Sequence, residues 1–375
     1  MDLQECRNQL DQIDRTMIEL FEERMRICGH VAESKIQTGS PVYDSEREKQ
    51  KICAARDQAH GDFNKMAVEE LFQQMMTISR RYQYQLLAQH EKTENFGFEK
   101  KAGLPAENIR VVYQGVEGAY SHAATLQYFG AGVDAYHVPA FEDAMKAVQD
   151  GDADYAVLPI ENSSAGAVTV NYDLLVEYQN CIVAETFVQA RHALLGLPEA
   201  KISDIRTVYS HPQALMQCSA FLNSQSDWRQ ISCENTAVAA KRLIEEGDCS
   251  KAAVASEIAG ELYGLKVLRS SINTNKNNTT RFIILSRQAM FREDAAKLSI
   301  SFELPHKSGT LYNLLSNFIF NGVNLMMIES RPIPGRTWEY RFFVDLEGNL
   351  EDAAVKNALK GIGEEASNLR ILGNY

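Results

Sequence analysis

The chain is short of positive charge, and this argues against whole classes of partner. Its 375 residues include 38 Lys and Arg against 50 Asp and Glu, a formal net charge of −12. Such a balance argues against binding to nucleic acid or to an anionic membrane. An anionic ligand would therefore have to be bound by local clusters of cations.

Paired cysteine motifs and long apolar runs are also lacking. The seven cysteines are odd in number and contain no C-x-x-C pair, which favours reduced thiols over a disulfide framework or a zinc site. The first residues show no basic segment followed by an apolar one, and no apolar run reaches about 18 residues, the length of a membrane helix. We therefore expect no metal, no signal peptide, no membrane span and a cytoplasmic protein.

What remains, 45% apolar and 23% charged residues, is typical of a globular chain, and the length predicts two or three domains. Changes in periodicity along the chain divide it into four parts. They are a helical domain (1–90), a linker without sustained periodicity (91–108), an α/β domain (109–290) and a small α+β domain (297–375).

The first part begins with apolar residues at alternating spacings of three and four, which predicts one long helix running to about Gly39. The apolar seam consists of Leu3, Cys6, Leu10, Ile13, Met17 and Leu20. Its next position is Arg24, and burying this cation costs several kcal/mol unless an anion meets it. Lys35 follows about three turns later on nearly the same face. A helix this long needs a partner, most simply a second copy of the chain.

Two further helices are predicted, from about Asp44 and from about Met66 to Gln89. In the third helix the apolar stripe turns polar at Ser79 and Gln83, which indicates a lined cavity. The alternative is a helical bundle whose charges are solvated surface ion pairs.

Eight polar residues of this part stand at the spacing found in the all-helical chorismate mutases. They are Arg7, Arg24, Lys35, Asp44, Arg47, Glu48, Ser79 and Gln83. The part therefore resembles that family, whose members are intertwined dimers, and the resemblance implies rearrangement of chorismate to prephenate. It assigns carboxylate binding to Arg24, Arg47 and an Arg7 from the other protomer, and stabilisation of the breaking ether oxygen to Lys35 and Gln83. Glu48 would accept from the substrate hydroxyl, with Asp44 and Ser79 in support.

In the α/β part, four polar segments stand at the ends of predicted strands, and we expect them to meet in one cleft between two lobes. They are 115–122, 159–166, 210–213 and 278–281. Each segment taken singly is equally compatible with helix capping and turn chemistry.

Four motifs occupy these places in order: Gly-x-Glu-Gly-x-Tyr-Ser-His, Pro-Ile-Glu-Asn-Ser-Ser-x-Gly, Ser-His-Pro-Gln and Thr-Arg-Phe. Together they resemble prephenate dehydratase, with departures at Val116 and Ala119. The resemblance implies a cleft like that of periplasmic solute-binding proteins, which converts prephenate to phenylpyruvate with loss of carbon dioxide and water. Thr280 would donate to the departing hydroxyl and Arg281 would clamp a carboxylate. The residues expected to orient the substrate or line the site are Ser121, Asn162, Ser163, Ser210 and Gln217.

The last part shows a βαββαβ order of predicted elements, which is that of a ferredoxin-like sandwich. The segments 306–311 and 329–332 resemble the ligand loops of phenylalanine-binding ACT domains, with Thr310 as a departure. The resemblance implies that L-phenylalanine bridges two such domains and inhibits the enzyme. The expected ligand residues are Ser308, Gly309, Thr310, Leu311, Glu329, Ser330 and Arg331.

The three resemblances together imply a bifunctional enzyme of phenylalanine biosynthesis. It would be a homodimer or higher homo-oligomer without metal or organic cofactor. Two other classes compete with this prediction. A two-lobed solute-binding or ligand-sensing protein would share the cleft but would not need the Thr280 hydroxyl. A purely regulatory dimer would be expected to have lost some of the eight polar positions.

Overall fold

The computed structural model describes residues 2–88 and 96–375, which form two compact units. The first unit comprises Met1–Phe96, Glu303–Asn324 and Leu350–Leu369, and the second comprises Gly97–Phe302, Leu325–Asn349 and Arg370–Tyr375. The chain therefore passes between the units more than once. The predicted C-terminal part, 297–375, gives its helices to the first unit and most of its strand residues to the second.

The elements follow in chain order. The helices are α1 (Leu3–Thr38), α2 (Ser45–Gln58), α3 (Asp62–Ala88), α4 (Tyr120–Phe129), α5 (Phe141–Asp150), α6 (Thr169–Glu177), α7 (Pro212–Gln217), α8 (Ser219–Asn223), α9 (Thr236–Glu246), α10 (Glu257–Leu262), α11 (Thr310–Phe320) and α12 (Ala353–Glu365). The strands are β1 (Glu99–Lys101), β2 (Arg110–Gln114), β3 (Asp134–Val138), β4 (Tyr155–Asn162), β5 (Gly166–Ala167), β6 (Cys181–Gln189), β7 (His192–Gly196), β8 (Thr207–Ser210), β9 (Arg229–Ser232), β10 (Lys251–Ser256), β11 (Lys266–Arg269), β12 (Thr279–Ser286), β13 (Met290–Arg292), β14 (Lys297–Leu304), β15 (Leu325–Pro332), β16 (Tyr340–Glu347) and β17 (Ser367–Asn374).

The long first helix is confirmed, and local chemistry sets both of its ends. The Asp2 carboxylate accepts from the backbone N–H of Glu5 at 2.8 Å, which caps the first turn. At the other end Gly39 adopts a left-handed conformation with φ 67°, which stops the helix. The seam residues Leu3, Leu10 and Ile13 are exposed in the single chain. This leaves an apolar face on α1 that the described chain does not cover.

Helices α2 and α3 agree with the prediction in number and approximate position. The Asp44 carboxylate accepts from the Arg47 N–H at 3.0 Å and so caps α2. Helix α3 begins at Asp62, earlier than the predicted Met66. The predicted end of this helix, Gln89, lies outside the described residues.

Two sheets form the lobes of the second unit. The larger runs in the order β15-β16-β14-β17-β6-β12-β4-β2-β3, with β5 paired to β4, and the smaller in the order β11-β7-β10-β8-β9. Strand β12 lies between β4 and β6 and is antiparallel to both. The predicted two-lobed α/β arrangement is therefore present, with the Thr280 segment on a central strand.

The central strands of both sheets are covered on both faces, as their apolar sequences predict. Along β12, Ile283 and Leu285 belong to one buried cluster and Ile284 to another. Along β10, Ala253 and Val254 likewise fall in different clusters. Alternate residues of a strand face opposite sides, so each strand contributes to two cores and is fixed in register.

The predicted linker needs a correction. Residues Glu99–Lys101 form a strand that pairs in parallel with Met290–Arg292. Residues Glu99–Lys101 are therefore part of the folded second unit and not of a free linker. Residues 91–95 of the predicted linker lie outside the described residues. A three-residue strand is too short to show a period of two, which is why the sequence pattern did not reveal it.

The predicted loop after the strand at residue 155 also starts later than expected. Strand β4 continues to Asn162, because Asn162 pairs with Thr280 and Glu161 with Arg281 on β12. In the C-terminal part the order β14-α11-β15-β16-α12-β17 agrees with the predicted βαββαβ pattern. Among the helices in residues 2–88 and 96–375, none combines the length and apolar character needed to cross a membrane.

Candidate active sites

The helices of the first unit bring Arg24 and Ser79 into direct contact. The Arg24 guanidinium on α1 donates to Ser79 Oγ on α3 and reaches the Met75 carbonyl at 3.5 Å. The Ser79 hydroxyl in turn donates to the same carbonyl at 2.6 Å. The cation found in place of a seam leucine therefore faces polar groups of α3.

Gln83 lies one turn after Ser79 and is buried. Its Nε2 donates to the Ser79 carbonyl at 3.2 Å, while its Oε1 is buried without a partner in the described residues. A buried amide oxygen without a partner is costly. Part of the Gln83 amide is thus available to a ligand.

Lys35 lies at the end of α1, and its Nζ donates to the Val42 carbonyl at 2.6 Å. Burial lowers the pKa of Lys35, and the nearby carboxylates of Asp44 and Glu48 oppose this shift. The ammonium group is therefore surrounded by predicted mutase residues at the start of α2. Asp44 itself caps α2, so its role in the structure is to hold this end of the helix.

Glu48 has a partner that the sequence did not suggest. Its carboxylate contacts the guanidinium of Arg80 on α3. Burial raises the pKa of Glu48, while Arg80 lowers it. Arg80 directly follows Ser79, and this position beside a predicted site residue was the only available clue.

A cavity of about 440 Å³ opens beside Lys35. Its polar lining includes Lys35, Tyr84, Lys360 and Glu364. The volume is in the range of small-molecule sites. Among the predicted mutase residues, Lys35 lines this cavity, whereas Arg24, Glu48, Ser79 and Gln83 are not part of its lining.

Arg7 and Arg47 are both exposed, but the charge of Arg47 is near enough to contribute to the lowered pKa of Lys35. Arg7 lies about 40 Å along α1 from Lys35, at about 1.5 Å per residue. A straight helix cannot bring both to one ligand. Arg7 can therefore act at this site only if it comes from a second copy of the chain, which is what the resemblance implies.

In the second unit, Asn162 holds Thr280. Its Oδ1 accepts from the backbone N–H groups of Ser164 and Ala165, both at 3.0 Å, which fixes the orientation of the amide. Its Nδ2 donates to Thr280 Oγ1 at 2.8 Å and to Asn278 Oδ1 at 2.9 Å. Because the Thr280 oxygen already accepts, its hydrogen remains to be donated elsewhere.

Gln217 is oriented in the same way. Its Oε1 lies 3.0 Å from Asn278 Nδ2 and 2.9 Å from His192 Nε2. Both neighbours act as donors to this oxygen, so the Gln217 Nε2 is not used in these two hydrogen bonds. Of these residues the sequence predicted Gln217 but missed Asn278 and His192. Asn278 stands in the motif segment and could have been found, whereas His192 lies in no motif.

Tyr120 completes this chain of hydrogen bonds at His192. The Tyr120 hydroxyl lies 3.0 Å from His192 Nδ1 and also 3.0 Å from the Arg191 carbonyl. With the His192 hydrogen on Nε2 toward Gln217 Oε1, Nδ1 is an acceptor, and the single hydrogen of the Tyr120 hydroxyl is shared between Nδ1 and the Arg191 carbonyl. Burial lowers the pKa of His192 and raises that of Tyr120, which keeps both neutral.

The first glycine-rich segment joins the two lobes. Gly118 has φ 84°, and a Cβ atom there would lie 3.2 Å from Ala259 on α10. Its carbonyl accepts from the Ser256 hydroxyl at 3.0 Å. A glycine is therefore required for this conformation. Ser121, which was predicted to line the site, lies in the first turn of α4 and is buried.

The predicted roles of Arg281 and Ser210 need correction. Arg281 donates to Glu185 and Asp345, each at 2.7 Å, and to the Tyr375 hydroxyl at 2.8 Å. It therefore faces away from the Thr280 cleft, because neighbouring residues of a strand point to opposite faces. Ser210 is fully buried and donates to the Val254 carbonyl at 2.6 Å, so it ties two strands together.

Ser163 also has a local role. Its hydroxyl donates to the Asn277 carbonyl at 3.2 Å and accepts from the Thr279 N–H at 2.9 Å. It holds the approach to β12 beside the end of β4. Its contribution to the cleft is thus to position the Thr280 segment.

The residues predicted to bind phenylalanine are divided between the two units, with 308–311 in the first and 329–331 in the second. Gly309 caps α11 with φ 80°, and Thr310 Oγ1 donates to the carbonyls of Pro305 and Lys307 at 3.1 and 3.0 Å. Arg331 on β15 makes a bidentate pair with Asp173, at 3.1 and 2.6 Å.

Two family models match the chain: chorismate mutase type II over residues 6–84 and prephenate dehydratase over residues 111–290. Bifunctional chorismate mutase/prephenate dehydratases of Escherichia coli (strain K12) and Aquifex aeolicus (strain VF5) are 34% and 31% identical to it over 379 and 381 residues. These alignments cover 98% and 100% of this chain, and 95% and 98% of the two relatives.

Solved structures match part of the chain. A prephenate dehydratase from Arthrobacter aurescens in complex with L-Phe has a TM-score of 0.66 and 32% identity, covering 71% of this chain and 89% of that one. GqqA, described as a novel type of quorum quenching acylase, has the same TM-score and 33% identity, covering 71% of this chain and 97% of that one.

Proposed function

The chain belongs to the family of bifunctional chorismate mutase/prephenate dehydratases, and we propose that its two reactions proceed at the two separate sites described above. The enzyme acts in phenylalanine biosynthesis, first rearranging chorismate to prephenate and then converting prephenate to phenylpyruvate. The observation that carries the proposal is the Thr280 hydroxyl, whose oxygen accepts from Asn162 at 2.8 Å and whose hydrogen is free for a ligand.

In the dehydratase reaction Thr280 donates to the departing ring hydroxyl. The bond to the ring carboxylate breaks with release of carbon dioxide, and its electron pair enters the ring as the C–O bond breaks. Aromatisation drives this step, so the cleft needs donors in fixed positions more than a strong acid. A threonine hydroxyl is a poor acid in water, and it therefore acts as a hydrogen-bond donor or proton relay in a closed cleft. Gln217 Nε2 is a second oriented donor.

In the mutase reaction no proton is transferred, and the cations position the substrate. Arg24 binds a carboxylate, while Lys35 and Gln83 stabilise negative charge on the breaking ether oxygen. Glu48 accepts from the substrate hydroxyl. The contacts of Arg24 with Ser79 and the cavity beside Lys35 support this assignment.

The functional form is a homodimer or a higher homo-oligomer, and L-phenylalanine inhibits it through an ACT domain formed by residues 297–375. The apolar face of α1 and the distance of Arg7 from Lys35 support pairing with a second copy. The L-Phe complex of the Arthrobacter aurescens relative supports binding of phenylalanine. Inhibition then requires that phenylalanine bind one state of the assembly more tightly than the other.

The likeness to the acylase raises a second chemistry for the same fold. Acyl transfer to a protein nucleophile needs a serine or cysteine next to a base. In the cleft, His192 contacts Gln217 and Tyr120 instead. Dehydration of prephenate is therefore the favoured reaction.

One assay tests the proposal. Purified protein is incubated with chorismate, and the loss of chorismate and the formation of phenylpyruvate are followed separately, with and without L-phenylalanine. We expect both reactions, and we expect phenylalanine to slow them. Formation of prephenate without phenylpyruvate would refute the dehydratase assignment, and full activity at millimolar phenylalanine without calorimetric binding would refute the inhibition.

A further inference from the structure

Arg80 on α3 lies between two carboxylates that are far apart in sequence. Its guanidinium contacts Glu48 on α2, and its Nη2 donates to Glu365 Oε1 on α12 at 3.0 Å. The side chains of Arg80, Glu48 and Glu365 are only 11%, 18% and 17% exposed. All three belong to the first unit. A residue of the C-terminal part is therefore linked through one cation to a predicted mutase residue.

The geometry of Arg80 suits a role in positioning. A guanidinium has a planar, rigid fork of donors, so two carboxylates on opposite branches hold it in one orientation. Its carbon Cζ also lies 4.8 Å from the centroid of the Tyr43 ring. Buried charges are costly unless paired. Removing either carboxylate therefore leaves Arg80 with only one of its two carboxylate partners.

Neighbouring contacts fix α11 and α12 against the same stretch of α3. Arg81 Nη2 donates to Ser316 Oγ on α11 at 3.2 Å, and its guanidinium lies 3.3 Å from the centroid of the Phe320 ring. One turn after Arg80, Tyr84 lines the cavity together with Glu364 of α12. The two C-terminal helices are thus packed against the polar end of the mutase site.

We propose that Arg80 is a positioning residue for the mutase reaction, which holds Glu48 ready to accept from the substrate hydroxyl and is itself held by Glu365. This inference rests on the proposed function of Glu48. It implies that the helical part alone, residues 1–90, lacks one support of its own active site. It also gives the C-terminal part a direct contact through which a shift of α12 changes the mutase step.

The test uses the full-length protein with Arg80→Gln, Arg80→Lys and Glu365→Gln. We expect Arg80→Gln and Glu365→Gln each to lower mutase kcat/KM about tenfold, the scale of losing one charge-assisted hydrogen bond. The double variant Arg80→Gln/Glu365→Gln should have a mutase kcat/KM no lower than that of the less active single variant, because both substitutions act through the same group. Arg80→Lys should recover part of the loss. Arg56→Gln on α2, an exposed arginine paired with Asp57, is the matched control and should change nothing.

A pH profile separates positioning from a merely structural effect. Burial raises the pKa of Glu48 and Arg80 lowers it; the other titratable groups that act on Glu48 are Glu365, Lys35, Glu364, Tyr43 and Tyr84. Arg80→Gln should therefore raise the pKa of Glu48 and move the acidic limb of the mutase kcat/KM profile to higher pH. Arg80→Lys keeps the charge and should leave that limb near its wild-type position.

Wild-type mutase activity is measured first, and its absence would refute the proposed function itself. With that activity present, unchanged kcat/KM in Arg80→Gln and Glu365→Gln would overturn the inference. A rise in kcat/KM would also overturn it, since the contact would then restrain the site. Dehydratase turnover of the same preparations reports folding. If Arg80→Gln fails to fold, Glu365→Gln and Arg80→Lys decide the question.

Discussion

The two candidate sites differ in the residue types that they contain: one is built mainly from charged side chains and the other from neutral hydrogen-bonding groups. The mutase site collects charged side chains between packed helices, and its Arg7 cannot reach the other residues within one chain. The dehydratase cleft is a chain of neutral hydrogen bonds from Thr280 through Asn162 and Asn278 to Gln217 and His192. A rearrangement needs charge held against a flexible dicarboxylate, whereas an elimination driven by aromatisation needs donors aimed in one direction. A substitution in either site should therefore lower the activity of that site and leave the other reaction unchanged.

The largest effect is expected at Thr280. Thr280→Ala removes the donor assigned to the departing hydroxyl, so dehydratase kcat should fall about 1000-fold, near the top of the range for one such donor. Mutase kcat should not change. Steady-state assays with prephenate and with chorismate measure the two separately.

A matched control for Thr280→Ala is Thr279→Ala, since Thr279 Oγ1 only approaches the Asn277 carbonyl, at 3.4 Å. It should retain most of the dehydratase activity. If Thr280→Ala kept near-normal turnover instead, another group would have to be the donor.

Lys35 tests the other site. Lys35→Ala should lower mutase kcat by at least about 100-fold, because the breaking ether oxygen loses its cation. Dehydratase kcat should stay unchanged. Lys49→Ala, an exposed lysine on α2, serves as control. A loss of less than about tenfold would remove Lys35 from the catalytic residues.

Asn162 tests whether orientation, rather than charge, governs the cleft. Asn162→Asp is nearly isosteric, but its carboxylate replaces the donor that faces Thr280 with an acceptor, which would capture the Thr280 hydrogen. We expect dehydratase kcat to fall about 100-fold, within the range for a lost donor or proton transfer, with unchanged mutase kcat. Equal activity of Asn162→Asp and wild type would show that the Thr280 hydrogen is not directed by Asn162.

The smallest effect is a pH dependence of stability. Burial lowers the pKa of His192 in the folded protein below the usual 6.5. As the pH falls, His192 is therefore protonated in the unfolded state at a higher pH than in the folded state, and this favours unfolding. The contribution of His192 to stability is therefore complete above about pH 6.5 and is lost as the pH falls toward its folded pKa. His192→Gln should flatten this part of a plot of Tm against pH.

The carboxylates of the first unit should show the opposite sign. Burial raises the pKa of Glu364 above its usual 4.5, so its contribution is complete below that value and is lost as the pH rises through the folded pKa. Glu364→Gln should therefore remove a decline of Tm with rising pH. If His192→Gln and Glu364→Gln changed the pH dependence of Tm in the same direction, the two groups would not have pKa shifts with opposite effects on stability.

Much of this organisation was predictable from sequence, for physical reasons. The long α1 follows from its seam and caps, and Thr280, Asn162 and Gln217 stand in motifs of fixed spacing. The opposite facing of Thr280 and Arg281 was also predictable, since both lie on one strand with a period of two. The resemblance assigned both residues to the same cleft, because a sequence motif shows which residues are neighbours in the chain but not which face of a strand each side chain occupies.

Other features depend on contacts that no local pattern encodes. Arg80 and Glu365 are 285 residues apart, and each alone is an ordinary helical charge. His192 starts a strand in no motif, and its role arises only when Gln217 and Tyr120 come to either side of it. The division of residues 297–375 between two units likewise follows from tertiary packing, which periodicity cannot report.

The most direct test of two separate sites is a mixing experiment with chorismate as the only substrate. Lys35→Ala and Thr280→Ala are assayed for phenylpyruvate singly and as a mixture. We expect little product from either variant alone, accumulation of prephenate with Thr280→Ala, and restored phenylpyruvate formation in the mixture as prephenate passes from one protein to the other. Loss of both reactions in either single variant, or no restoration although Lys35→Ala converts added prephenate, would contradict the assignment.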